Sequence, residues 1–150
     1  MSVAISLHLL SAIIWVGGMF FAHAVLRPSA IELEPADRVP LWGRVLKRFF
    51  TLVWLAILLL LLSGYWMVFS VYGGFSTLPV YLHLMHGIGW VMIMLFLHLW
   101  FAPYRRFKQH TADGNFENAA RSLNQIRLIV TVNLILGLIN SVIGVSGIYW

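Results

Sequence analysis

The sequence contains no cysteine, and only 10% of its 150 residues are charged. The absence of cysteine excludes disulfide bonds, thiolate metal sites and iron–sulfur clusters. So small a charged fraction, beside a hydrophobic fraction of 61%, lies far outside the range of soluble domains. The composition therefore predicts a membrane protein, and any metal in it must be bound without thiolates.

Four apolar segments, each of about 20 residues or more, are long enough to cross a bilayer as helices. They cover approximately residues 3–26, 41–72, 80–102 and 116–149. Short connections between four crossings favour an up-down-up-down bundle. We therefore predict an all-α integral membrane four-helix bundle, in which residues 1–150 form a single transmembrane domain.

Charged residues are confined to two connections, residues 27–48 and 104–127, which hold all ten Lys and Arg and all five Asp and Glu. The positive-inside rule places both connections in the cytoplasm and both termini on the periplasmic side of a bacterial inner membrane. The net charge of +5 is therefore interpreted as a topology signal, and no nucleic-acid partner is expected. Since every carboxylate lies in these connections, no side chain stands out as a catalytic acid or nucleophile.

Histidines are the main chemical feature of the apolar segments. The first segment contains His8 and His23, and the third contains His83, His86 and His98. An ionisable side chain inside a transmembrane helix is costly and usually functional, and imidazole is the commonest metal ligand. His8 and His23 are fifteen residues apart, as are His83 and His98, which corresponds to about 22 Å along each helix. Two parallel, diagonally opposed helices would thus offer one histidine each at two matching depths.

This spacing predicts bis-histidine ligation of haem b, since haem iron accepts axial imidazoles. We expect His8 to pair with His83 or His86 at the outer level, and His23 to pair with His98 at the inner level. Glycines would leave space for the porphyrin, and arginines would meet its propionates. The residues expected to bind the cofactor are His8, His23, His83, His86, His98, Gly64, Gly137, Gly144, Arg48 and Arg105.

A bis-histidine iron has no open coordination position, which favours electron transfer over oxygen activation. The predicted function is thus that of a b-type cytochrome that moves electrons within or across the membrane. A quinone or a redox partner protein would exchange electrons with it. The sequence leaves open whether the protein has an oxidoreductase activity and whether it forms a homo-oligomer.

Copper is the alternative. The same histidines, together with Met19, Met85 or Met92, form a suitable ligand set for Cu(I), because thioether and imidazole groups are soft or borderline donors. A copper transporter or a copper-binding membrane protein would use them in that way. A third possibility is a small structural subunit of a larger respiratory complex.

Short motifs add a resemblance to a known family. Residues 7–10 (LHLL) and 15–21 (WVGGMFF) are similar to the opening helix of the copper-resistance protein D (CopD) family. Residues 47–49 with 62–64, and residues 132–137 (VNLILG), are similar to its later helices. The resemblance implies copper handling across the inner membrane.

A related group, the HemJ-type four-helix haem membrane proteins, also resembles this chain. The likeness rests on His8, Trp15 and the pair Leu82-His83. It implies that His8 is a haem ligand.

Overall fold

The computed structural model describes all residues from 1 to 150, and every regular element in it is helical. Four helices are long and apolar enough to cross a membrane, which confirms the predicted all-α four-helix membrane bundle. The helices are α1 (Ser2–Ala30), α2 (Pro35–Val71), α3 (Val80–Phe101), α4 (Pro103–Ala112) and α5 (Phe116–Ser146). The short α4 follows α3 directly, and the two together form the third of the four long helical segments.

Local sequence explains where these helices begin and end. α2 begins at Pro35 rather than at residue 41, because Pro35 occupies a position where a backbone N–H is not needed. Pro103 opens the short helix α4, and the chain bends at Ala102 just before it. Asn115 caps α5 by accepting a hydrogen bond from the Asn118 N–H at 3.1 Å.

The helix α1 is the irregular one. Two of its stretches, Ile13–Gly17 and Ala22–Leu26, are π-helical, and each wide turn takes in one residue more than an α turn. Between them, Gly18 lies directly against the ring of Phe49, which a Cβ atom at position 18 would overlap. α3, by contrast, is a regular α-helix from end to end. The same spacing in sequence therefore produces different rotations on α1 and α3.

Aromatic side chains fill the middle of the bundle. The ring of Phe96 on α3 meets Trp15 of α1 edge-on at a centroid distance of 6.3 Å, and Phe50 of α2 at 5.5 Å. Met19 and Met92 are buried in the same core. α1 and α3 thus touch across the diagonal through packed side chains.

Neighbouring helices pair along their lengths. α1 packs on α2, and α3 packs on α5. The amphipathic α4 packs on the first part of α5, while its buried Tyr104 ring meets Phe50 of α2 at a centroid distance of 4.9 Å. All charged residues lie at one end of the bundle, here called the charged end. Both termini and the turn around Phe75–Thr77 lie at the other, uncharged end.

Candidate functional site

His8 lies near the uncharged end of α1 and packs on α2. Its Nδ1 is 3.0 Å from the Ser63 hydroxyl, and that hydroxyl already donates its one hydrogen to the carbonyl of Leu59. When the Ser63 hydroxyl donates to its own helix, its oxygen accepts from a protonated His8 Nδ1, since a hydroxyl has a single hydrogen. The Nε2 lone pair of a neutral His8 is thereby left free, in the tautomer that metal-binding histidines adopt.

His23 repeats this local chemistry fifteen residues later, but on a different helix pair. Its Nδ1 is 3.2 Å from the Thr131 hydroxyl of α5, which donates to the carbonyl of Arg127. His23 therefore also donates from Nδ1. The two π-helical stretches rotate the second half of α1, so His8 faces α2 while His23 faces α5.

The surroundings of the two histidines differ in charge. His23 lines a small cavity that also contains Arg27, Arg127 and Trp42. No Lys or Arg occurs in the first 26 residues or between residues 49 and 104, so His8 has no basic neighbour from α1 or from the uncharged half of α2. A cation would be repelled at His23 and not at His8.

A family model described as Copper resistance protein D matches residues 43–147, which is more than half of the chain. This chain belongs to the CopD family. The relationship to HemJ-type proteins is not shown. No curated protein and no solved structure matches the chain.

The three histidines on α3 of this CopD protein are not arranged to meet those on α1. His83 and His98 are exposed on the outer surface of the bundle. His86 is half-buried beside Tyr65, and its Nε2 accepts a hydrogen bond from Trp90 Nε1 at 3.1 Å. With that lone pair engaged, His86 as placed has no free nitrogen for a metal.

The glycines expected to leave room for a porphyrin are already occupied by side chains. Gly64 accommodates His8, whose Cε1 would be 3.2 Å from a Cβ at that position. Gly137 accommodates Val16 and Met92, and Gly144 accommodates Met85. The arginines expected at the propionates, Arg48 and Arg105, are exposed at the charged end, and neither lines the cavity beside His23.

The structure therefore gives no support to haem b between α1 and α3, and the CopD match favours the copper alternative over the main functional prediction. The diagonal space is filled by Trp15, Phe50 and Phe96, and two of the four proposed ligands face outward. The prediction assumed equal rotation along both helices, and the π-helical stretches of α1 remove that equality. The predicted electron transfer depends on haem, so the structure gives it no support either.

The methionines form the second feature of interest for a CopD protein. Met92 is buried and Met85 half-buried on the face of α3 that packs on the glycines of α5. Met94, two residues further along, is 61% exposed on the opposite side. No group of three or more His, Asp or Glu side chains comes together.

The sequence analysis missed Ser63 and Thr131 as partners of the histidines. A hydroxyl in a transmembrane helix normally bonds its own backbone, and both of these do so. Only the packing of α1 shows that each hydroxyl oxygen also accepts from an imidazole. A search for Ser or Thr at a histidine's depth on a neighbouring helix would have marked both as candidates.

Proposed function

We propose that this protein handles copper within a bacterial inner membrane as its cargo, for resistance to the metal. The match to the CopD family over residues 43–147 carries this proposal. The chain's inventory of soft donors agrees with it, because methionine and histidine are the only such residues in a chain without cysteine.

His8 is the proposed imidazole ligand. A metal ligand must be neutral, and its other ring nitrogen is usually held by a hydrogen bond. A hydrogen bond from His8 Nδ1 to Ser63 would hold the ring in this way and leave Nε2 as the coordinating atom. The lack of basic residues in this half of the bundle favours a cation.

Met85 and Met92 are the proposed thioether ligands. They are seven residues apart, so they lie about 10 Å apart along one face of α3. Thioethers suit Cu(I), which carries a low charge and can be passed between weak ligands inside an apolar bundle. The glycines of α5 opposite these methionines allow the close packing that keeps them inside.

The test compares copper content and copper tolerance of bacterial cells that lack their own copper-resistance genes. Expression of the native protein should change both quantities. We expect His8→Gln, and the double variant Met85→Leu with Met92→Leu, to remove most of the change, since these substitutions keep size but remove the donor atoms.

Matched controls exist on α3. His83→Gln and Met94→Leu remove the same donor types from exposed positions and should leave copper handling unchanged. Equal loss in the control and test variants would contradict the ligand assignment. A purified protein that contains no copper but shows a Soret band would reject the copper function and restore haem.

A further inference from the structure

A small, mostly apolar cavity lies at the charged end, where α1, α2 and α5 meet. Its volume is about 30 Å3, enough for about two water molecules. Apolar side chains form most of its wall. The polar groups that line it are His23 and Arg27 from α1, Trp42 from α2, and Arg127 from α5.

Two of the residues that line this cavity each carry a buried hydrogen-bond donor without a protein partner. Trp42 is only 3% exposed, and its Nε1 finds no acceptor. Arg127 stacks on the Trp42 ring at 5.2 Å and donates to Asn124 through one terminal nitrogen, but its buried Nε is also without an acceptor. Leaving a buried donor unpaired is unfavourable, so both donors call for an acceptor from outside the chain.

The charges around the cavity also favour an acceptor that carries negative charge. Arg27 and Arg127 line the same cavity and carry like charges. No Asp or Glu lines the cavity, and the one ion pair in the structure joins Arg121 to Glu117 on the exposed surface of α5. Like charges gathered in a partly buried place without a counter-charge are unfavourable.

We propose that this cavity binds the phosphate group of an anionic ligand, either the phosphodiester of an anionic phospholipid or free phosphate. Guanidinium and indole N–H groups are donors that phosphate oxygens accept well. The small volume admits the phosphate oxygens and leaves the rest of the ligand outside. The charged end lies where headgroups are expected, and basic pockets between membrane helices are typical sites for acidic lipids.

The experiment uses the full-length protein, purified in a neutral detergent and stripped of lipid. Native mass spectrometry counts bound ligand, and the unfolding midpoint is followed on addition of phosphatidylglycerol, phosphatidylcholine or inorganic phosphate. We expect one tightly bound phosphatidylglycerol, which raises the midpoint. Arg127→Gln should weaken that binding roughly tenfold or more, since hydrogen bonds to charged groups are strong.

Arg105→Gln is the matched control, because it removes one positive charge from an exposed position at the same end of the bundle. This variant should bind phosphatidylglycerol as tightly as the native protein does. Trp42→Phe keeps the ring but removes the indole N–H, and Arg27→Gln removes charge at the rim; both should weaken binding even if Arg127→Gln fails to fold.

Comparing the added ligands distinguishes the two sources of the phosphate group. Binding of phosphatidylglycerol that inorganic phosphate does not displace identifies the lipid. Saturable binding of inorganic phosphate with the same sensitivity to Arg127→Gln identifies the free anion. The proposal is overturned if neither ligand binds, if phosphatidylcholine binds equally well, or if Arg105→Gln weakens binding as much as Arg127→Gln.

Discussion

His8 and His23 lie on the same helix and share the same local chemistry, yet their surroundings assign them different partners. Each donates from Nδ1 to a hydroxyl that bonds its own helix backbone. His8 does so in the uncharged half of the bundle, whereas His23 lines a cavity with two arginines. Under the two proposals above, the field around an imidazole, rather than its hydrogen bond, decides whether a cation or an anion binds nearby.

The largest effect is expected from a substitution that pushes α1 away from α2 and so disturbs the surroundings of both His8 and His23. Gly18→Leu places a side chain on the Phe49 ring between the two histidines, so we expect the free energy of unfolding to fall by about 1–3 kcal/mol. Gly17→Leu is the control, because no atom lies within 4 Å of a Cβ at that position. Unfolding in detergent measures both, and equal losses would show that the close contact at Gly18 is unimportant.

The next variants test the two hydroxyls against each other. Ser63→Ala removes the acceptor that fixes the His8 tautomer, and loss of such an outer contact typically lowers metal affinity about 10- to 100-fold. Thr131→Val removes the equivalent acceptor from His23 and should leave copper binding unchanged. Copper titrations of the purified variants measure the difference. A stronger effect of Thr131→Val would reverse the assignment of the two histidines.

A smaller effect is expected from crowding the His8 ring. Gly64→Ala puts a Cβ atom 3.2 Å from His8 Cε1, so the ring must move by a few tenths of an ångström. We expect copper affinity to fall only about two- to fivefold, because the Ser63 hydrogen bond stays within reach. Unchanged affinity would mean that the ring position is not critical, and a loss as large as that of Ser63→Ala would mean that space matters more than the tautomer.

The smallest effect concerns the charged end outside the cavity. Arg121→Ala breaks the exposed ion pair with Glu117 on α5, which should cost about 0.3–0.5 kcal/mol of stability. Neither copper binding at His8 nor phosphate binding beside His23 should change. Thermal unfolding and the two binding assays together check this, and a loss of phosphate binding would show that the general positive charge of this end is sufficient.

Much of the fold could be predicted from local sequence. The four apolar runs predict the four spans, and Asn115, which caps α5, is of a residue type that favours this position. Helix ends in the charged connections were harder, as α2 shows by beginning at Pro35. Its first turns are polar, so hydropathy does not mark them.

The candidate site could be predicted only in part. His8 was correctly noticed as an unusual polar residue in an apolar helix, but its partner was sought on α3 and lies on α2. Rotation along α1 depends on two π-helical stretches, and no residue type reports these reliably. Trp42 and Arg127 were missed as a site because each, taken alone, is an ordinary interface residue.

The sequence by itself determined that this chain crosses a membrane four times, that its charges gather at one end, and that histidine and methionine are its only soft donors. These properties follow from composition and from the cost of placing polar groups in hydrocarbon. The tertiary structure alone decided which way each imidazole faces and what fills the space between helices. Those outcomes depend on helix rotation and on packing between residues far apart in the chain, such as His8 with Ser63 and Trp42 with Arg127.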